Sequence, residues 1–417
     1  MNKPATRAGW PSRRLGDLAE MITKGTTPTS IGYAFVPEGI NFLKVESISE
    51  NGQFLESKLA RITPTCHRAL KRSQLRLGDI LFSIAGALGR TAFVTDEILP
   101  ANTNQALAII RLRKSEDVFP EFVLKALETG AVIEQIQKFR GGVAQQNLSL
   151  AQVQAFMIPL PPPPEQKRIV AILDEAFDGI ATAKANAEKN LQNARALFES
   201  HLQAVFTHGG AGWVESLVGS VCDIKHGFAF DGADFSSDVP QGNPIITTPG
   251  NFTEDGKLLF NEKNTKRFSG EVPAGFHFDV GDLVVVMTDL SSKMKILGKP
   301  AFVETHDLLH NQRIGRVVFL NGRIHKRFLY YFMMSERFLK NIKQSATGTM
   351  VKHTAPKRIL SNVIPFPRDQ KDQLEVVARL DTLRTQTQRL ESIYRQKVAA
   401  LDALKKSLLD QAFTGKL

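Results

Sequence analysis

Gln166–Asp174 reads QKRIVAILD, and 207 residues later Gln373–Asp381 reads QLEVVARLD. The same ungapped offset carries Ser200 to Ser407, Leu202 to Leu409 and Phe206-Thr207 to Phe413-Thr414. Upstream, Ile158-Pro159-Leu160-Pro161 answers Ile364-Pro365-Phe366-Pro367, and Gly78-Asp79-Ile80-Leu81-Phe82 answers Gly281-Asp282-Leu283-Val284-Val285. Thr91-Ala92-Phe93-Val94 matches Pro300-Ala301-Phe302-Val303, Asn104-Gln105 matches Asn311-Gln312, and Trp10 matches Trp213. All of these fall in one order at offsets between 203 and 209, which chance does not produce. A duplicated plan of this length implies two similar folded units within the 417 residues.

Each copy has two parts. Short β-rich runs bounded by Gly, Pro and Asn dominate residues 15–113 and 217–320, and helical stretches follow over Phe119–Phe139 and Lys326–Lys343. Proline clusters at 159–164 and 365–367 cannot continue a helix or a central strand and mark boundaries. The expected division is 1–157 for the first mixed domain, 158–208 for a proline-led helix, 209–363 for the second domain and 364–417 for the second helix.

The segments after the prolines are helical for about 40 residues, with Gly only at position 179 and at the ends. In the second, Leu380, Leu383, Leu390, Tyr394, Leu401, Leu404 and Leu408 recur at spacings of 3 and 4, with Thr387 and Lys397 filling the gaps. The first offers Leu173, Phe177, Ile180, Ala187, Leu191, Ala194 and Phe198. These are coiled-coil stripes. Each helix would be roughly 60 Å long, more than its own domain needs, and one alone would leave an apolar face in water. The two therefore pair, making a single-chain pseudo-dimer. Gly209-Gly210 and Gly415 stop the helices at equivalent positions.

This arrangement, with Pro161-Pro162-Pro163-Pro164-Glu165-Gln166-Lys167-Arg168-Ile169-Val170 leading into the first helix, resembles the specificity subunits of type I restriction-modification systems (HsdS). The second lead-in, Pro367-Arg368-Asp369-Gln370-Lys371-Asp372-Gln373, has one proline where the first has four. The resemblance covers essentially the whole chain in architecture, and its specific signal lies in the helices and their lead-ins. It implies an α+β fold: two mixed α/β target recognition domains joined by two long helices in an antiparallel coiled coil, with an internal pseudo-two-fold. Each domain would read one half of a split site on double-stranded DNA while the helices set the spacing. The resemblance further implies two modification (methyltransferase) subunits as partners, and restriction/translocase subunits in the full complex. S-adenosylmethionine, ATP and Mg are then expected on those partners, with no cofactor and no metal in this chain.

Charge agrees with a polyanionic partner. Lys and Arg number 53 against 42 acids, giving a net charge of +11. Residues 1–210 hold 24 basic against 20 acidic side chains, net +4; the rest hold 29 against 22, net +7. Two cysteines, Cys66 and Cys222, make no disulfide framework. No apolar h-region follows the basic N-terminus and no run of about 18 apolar residues could span a bilayer, so a cytoplasmic location without membrane association is expected.

Catalytic signatures are absent from the sequence. Asn243-Pro244-Ile245-Ile246 lacks the second proline and the aromatic ring with which an adenine methyltransferase holds a flipped base. There is no GxxxxGK[ST] phosphate loop and no HExxH, and Gly209-Gly210-Ala211-Gly212 precedes Trp213 and a new domain, as a hinge does. A non-catalytic recognition subunit is the leading expectation. The alternative is a coiled-coil adaptor joining two proteins without sequence-specific DNA binding.

DNA contact is expected on glycine-bearing loops rich in Lys, Arg and amides, because glycine permits close approach and amides hydrogen-bond in both directions. In the first copy these are Lys24, Thr26 and Thr27; Arg90; Asn102 to Gln105, with Asn104 and Gln105 foremost; and Arg140, Gln145, Gln146 and Asn147. In the second they are Lys225 and His226; Lys293 and Lys295; Asn311, Gln312 and Arg313; and Thr347, Thr349, Lys352 and His353.

Overall fold

The computed structural model describes residues 9–139, 147–236 and 242–417. The chain forms two compact units, one of residues 1–188 with 395–417 and the other of residues 189–394. Each unit thus takes part of both long helices, a sharing that the linear division into domain, helix, domain, helix does not express.

In the first unit a four-stranded antiparallel sheet runs in the spatial order Ala19–Lys24, Leu107–Leu112, Ile80–Ser83, Thr91–Phe93. Alternation along these strands sorts side chains onto two faces. Ile80, Phe82, Ala108 and Ile110 pack with helical residues Phe122, Val123 and Leu173, while Leu81, Leu107 and Ile109 pack with Leu43, Ile48 and Ala92. A three-stranded sheet, Ala60–Ile62, Ile40–Leu43, Ala101–Thr103, lies on that second side, its last two strands parallel.

The second unit repeats this topology. Cys222–His226, Ile314–Phe319, Leu283–Val286 and Pro300–Phe302 stand in the same order, and Ile245–Ile246 runs parallel to Leu308–Leu309. The Gly-Asp pairs recognised in the repeat begin equivalent strands. Gly78 and Gly281 adopt φ of 85° and 91°, and the carboxylates of Asp79 and Asp282 accept the backbone N–H of Arg76 and Asp279. Asp79 also takes a two-pronged ion pair from Arg111, both contacts at 2.7 Å.

The helical stretches before the prolines are each broken in two, Pro120–Leu127 with Gly130–Phe139 and Lys326–Met334 with Glu336–Gln344. Ser335 is the reason in the second copy: its backbone is extended and its side chain caps the N–H of Phe338, so one helix ends where the next begins.

Prolines enter both elements at their margins. Among the described residues, Pro159 ends the strand Met157–Pro159, paired only with Ser12–Arg14, and Pro365 and Pro367 lie in Val363–Pro367, paired only with Trp213–Leu217. Two-stranded ribbons have free outer sides, so missing N–H groups break no ladder. Pro163 and Pro164 occupy the first turn of the helix Pro163–His208, where the N–H has no intrahelical partner anyway.

Despite the difference in proline number, both lead-ins are locked in the same way. Buried Gln166 accepts the N–H of Phe119 at 2.9 Å and donates to the carbonyls of Asp117 and Pro161 at 2.9 and 2.8 Å. Buried Gln373 accepts the N–H of His325 at 2.8 Å and donates to Arg323 and Pro367 at 2.8 and 2.9 Å.

The second long helix spans Gln370–Ala412. In the first unit Arg168 reaches the carbonyl of Leu417 at 2.9 Å and Lys184 pairs with Asp402 at 2.6 Å; in the second, Arg195 pairs with Glu391 at 3.0 Å. Partner numbers fall as the first helix advances, so the two helices pack antiparallel. Ile169, Leu173, Ile180, Ala187, Ala194, Leu202 and Phe206 are buried on the first helix, and Leu380, Thr387, Leu409, Ala412 and Phe413 on the second or just beyond its end. Phe177, Leu191, Phe198, Leu383, Tyr394, Leu401 and Leu408 are half-buried at its margins. Leu390 and Leu404 depart from the expected stripe, with 40% and 45% of their surface exposed. Burial on the first helix recurs every seven residues from 173 to 194, because two helices fully enclose only one line of side chains and leave the neighbouring line open. Lys397 is exposed.

Candidate nucleic-acid interface

Because strands alternate in direction, the end of Ala19–Lys24, the end of Ile80–Ser83 and the start of Leu107–Leu112 share one edge of the first sheet, with Lys24 opposite Ala108 and Ser83 opposite Leu107. The loops 24–27 and 102–106 meet there. The N–H of Gly25 donates to Asn104 O at 3.1 Å, and the hydroxyl of Thr27 donates to Gln105 Oε1. A side chain at position 25 would drive its Cβ to 1.8 Å from Thr103 O, so only glycine allows this approach. Lys24 and Gln105 are exposed, and Thr26 and Thr27 partly so.

The second unit brings the equivalent pieces together. His226 lies opposite Gly315, Val286 opposite Ile314, and a Cβ on Gly227 would come to 2.3 Å from His310 O and Asn311 O. Phe228 donates to His310 O at 2.8 Å and receives Gln312 N–H at 2.9 Å. Lys225, His226, Gln312 and Arg313 are exposed on this edge. The loop before the second long helix joins them: Lys352-His353 pairs with Thr288-Asp289, which continues from Val286. Thr347 and His353 exchange backbone hydrogen bonds at 3.0 and 2.9 Å, and His353 Nδ1 meets Thr288 Oγ1 at 3.1 Å. Thr349 and Lys293 are exposed, and Lys352 donates to Gly348 O at 2.7 Å.

Several expected contacts turn out to be structural. The Arg90 guanidinium donates to Val45 O and Ile48 O at 3.3 and 2.7 Å, bracing the loop beneath it. Asn102 is buried, its amide donating to Leu70 O and Ser73 Oγ. Asn104 Oδ1 accepts Ala106 N–H, and buried Asn311 likewise accepts Arg313 N–H, so both shape their own turns. Lys295 is paired with Glu254 at 2.6 Å, and that hydrogen bond holds its ammonium above the usual lysine range. Arg140, Gln145 and Gln146 lie outside the described residues; Asn147, next to them, is exposed.

Sequence reasoning passed over Leu290, Met350 and Val351, apolar residues on the same edge of the second unit whose side chains are exposed. Their only signal was an apolar residue inside a polar, glycine- and lysine-bearing loop. Both cysteines are buried, and burial pushes the Cys222 thiol up to about 12. Among the described residues no helix is long and apolar enough to cross a membrane.

Comparisons with known proteins agree with the geometry. Residues 8–192 match the family model of the type I restriction modification DNA specificity domain. The type I restriction enzyme EcoBI specificity subunit of Escherichia coli is 23% identical over 237 residues, 57% of this chain and 44% of that protein, so the match spans less than half of that relative. The MjaVIII specificity subunit of Methanocaldococcus jannaschii is 25% identical over 62% of each chain. A putative MjaX specificity subunit from the same organism is 23% identical over 98% of this chain and 93% of its own. The crystal structure of the HsdS subunit from Thermoanaerobacter tengcongensis shares the fold at a TM-score of 0.58 and 20% identity, covering 98% of this chain and 97% of that one. A chain solved in work on complex assembly and conformational transition of the type I R-M system does so at a TM-score of 0.77 and 20% identity, covering 98% of both chains. With a duplicated unit, paired antiparallel helices and a matching specificity domain over residues 8–192, the chain is similar to the specificity subunits of type I restriction-modification systems in both sequence and fold.

Proposed function

We propose that this chain is the DNA-recognition subunit of a type I restriction-modification complex. The observation that carries the reading is the repetition of one loop edge in two units built on the same strand order. Two homologous readers with different loops, Lys24-Gly25-Thr26-Thr27 against Lys225-His226-Gly227-Phe228, suit a split and asymmetric site. Lys and Arg on these edges supply salt-dependent affinity through phosphates, while Gln and Arg forks read base edges. The paired helices set the spacing between half-sites and dock two modification subunits. Restriction/translocase subunits complete the assembly in the cytoplasm. The chain itself is non-catalytic: S-adenosylmethionine, ATP and Mg act on the partner subunits.

The test is a gel-shift of the chain assembled with its modification subunits, at low and moderate salt, together with methylome sequencing of the host with and without the gene. A salt-steep, sequence-selective complex and a bipartite methylation motif lost on deletion are expected. A methylome that deletion leaves unchanged, with no selective complex, would leave the protein-adaptor reading in its place.

A further inference from the structure

The recognition edge of the second unit carries an apolar tip that packing does not account for. Leu290 is 61% exposed, Met350 80% and Val351 37%, and none of the three belongs to a core of the unit. Single exposed apolar residues are ordinary on protein surfaces. These three are grouped: the ladder pairs Thr288 with His353 and Asp289 with Lys352, so Leu290 and Val351 continue the two strands as the next facing positions, with Met350 beyond.

The tip is also built to hold its shape. The buried Asp289 carboxylate accepts the N–H of Ser291 at 2.8 Å and of Ile296 at 3.0 Å, closing the first loop. Gly348, at φ 95°, brings the second loop so close that a Cβ there would lie 2.0 Å from Val351 O. The two segments that build the tip are predominantly basic. Segments 286–298 and 344–359 contain a single acid, the buried Asp289, against Lys293, Lys352, Lys357 and Arg358, with Lys295 already paired to Glu254. An apolar tip beside cationic side chains suits a surface that is polyanionic at its rims and carries isolated apolar groups at its floor, as the DNA major groove does at thymines. The major groove admits a two-stranded ribbon, and the one apolar group displayed on its floor is the thymine 5-methyl.

We propose that Leu290, Val351 and Met350 form an apolar prong that enters the major groove and reads thymine 5-methyl groups in the half-site of the second unit. This rests on the DNA-recognition reading above. On the first loop of the tip the two units differ: the carbonyls of Ile84 and Met287 accept equivalent backbone bonds, which places Ala87 where the second unit has Leu290. The half-site of the second unit is therefore read partly through methyl groups.

The experiment measures binding of the complete chain, assembled with its modification subunits, to duplexes carrying the methylome-derived motif with each thymine replaced in turn by deoxyuridine. The wild-type assembly should lose roughly five-fold or more in affinity at one or two positions, all within one half-site. The Leu290→Ala/Met350→Ala variant should bind the thymine duplex that much more weakly and no longer distinguish it from the uracil duplex. Both side chains are exposed, so an unchanged melting temperature confirms that the variant is folded. Equal wild-type affinity for thymine and uracil at every position overturns the prong, as does a variant that keeps the discrimination. So does a Met350→Lys variant that binds all sequences more tightly with specificity intact, since that residue would then face phosphate. If the wild-type assembly forms no sequence-selective complex at all, the DNA reading itself fails, a signature distinct from equal affinities.

Discussion

Asp410 Oδ1 accepts the backbone N–H of Gly130 at 2.9 Å across 280 residues of chain. Asp410 lies near the end of the second long helix and Gly130 begins the helix Gly130–Phe139, so a carboxylate sits on a positive helix end. At the equivalent place in the second unit, 207 residues on from Gly130 and 207 back from Asp410, the N–H of Arg337 donates to Gln203 Oε1 at 3.4 Å. The end of each long helix is therefore integral to one of the compact units. Phe413 packs against Phe122 with ring centroids 4.7 Å apart, and Phe206 meets Phe328 and Phe332 at 5.4 and 5.5 Å. Asp410→Ala should cost the first unit about 1 kcal/mol, the loss of a cap. Phe413→Ala should cost about 3 to 5 kcal/mol, as for a buried aromatic side chain. Chemical denaturation followed by hydrogen exchange in residues 120–139 would check both.

The glutamine locks predict a matched pair of effects. Gln166→Leu should strip partners from the N–H of Phe119 and the carbonyls of Asp117 and Pro161, and Gln373→Leu should do the same at His325, Arg323 and Pro367. Each abandoned group that stays dry costs about 1 to 3 kcal/mol. Faster exchange of the Phe119 or His325 amide, confined to the mutated unit, is the expected readout. Equal effects in both units from one substitution would contradict the locks' independence.

His310 gives the second unit a pH dependence. Burial, against a hydrogen bond to Ile314 O that raises it and with smaller help from the charges of Arg316 and His226, brings its imidazole down from the ordinary 6.5 to about 4. Nε2 lies 2.9 Å from that carbonyl and the ring stacks on Phe278 at 4.6 Å. The folded state favours the neutral ring, so the unfolded chain binds more protons between the two values. This contribution is complete above pH 6.5 and is lost as pH falls toward 4. Thermal unfolding from pH 7.5 to 4 should show that slope for the wild type, and His310→Gln should flatten it.

Arg313 separates reading from anchoring. Its side chain is exposed while its backbone is held by Asn311 Oδ1 and Met287, so truncation leaves the turn intact. Arg313→Ala should relax one half-site at about 1 to 3 kcal/mol of discrimination and leave the other unchanged. Uniform weakening on all duplexes, with a salt slope reduced by about one, would make it a phosphate contact. A methylome of the variant strain and a salt titration distinguish the two.

The repeat, the helix-led architecture and the loops that meet at one sheet edge of each unit were legible in the amino-acid order because each leaves a local mark: an offset near 207, a 3 and 4 spacing, a glycine beside lysine. Gln166 and Gln373 are part of the matched segments, yet nothing local shows that they bind carbonyls 5 or 6 residues back and others 49 or 50 residues away. The sequence alone determined that two like units exist and that their loops differ. Tertiary structure decided that Arg90 and Asn311 are spent on their own backbone while Leu290 and Met350 stand exposed, and that Leu390 leaves the helix seam while Thr387 fills it. The reason is physical. Composition and spacing report what a side chain could do, whereas the carbonyls, ring faces and partner helix that claim it come from elements brought together only by folding.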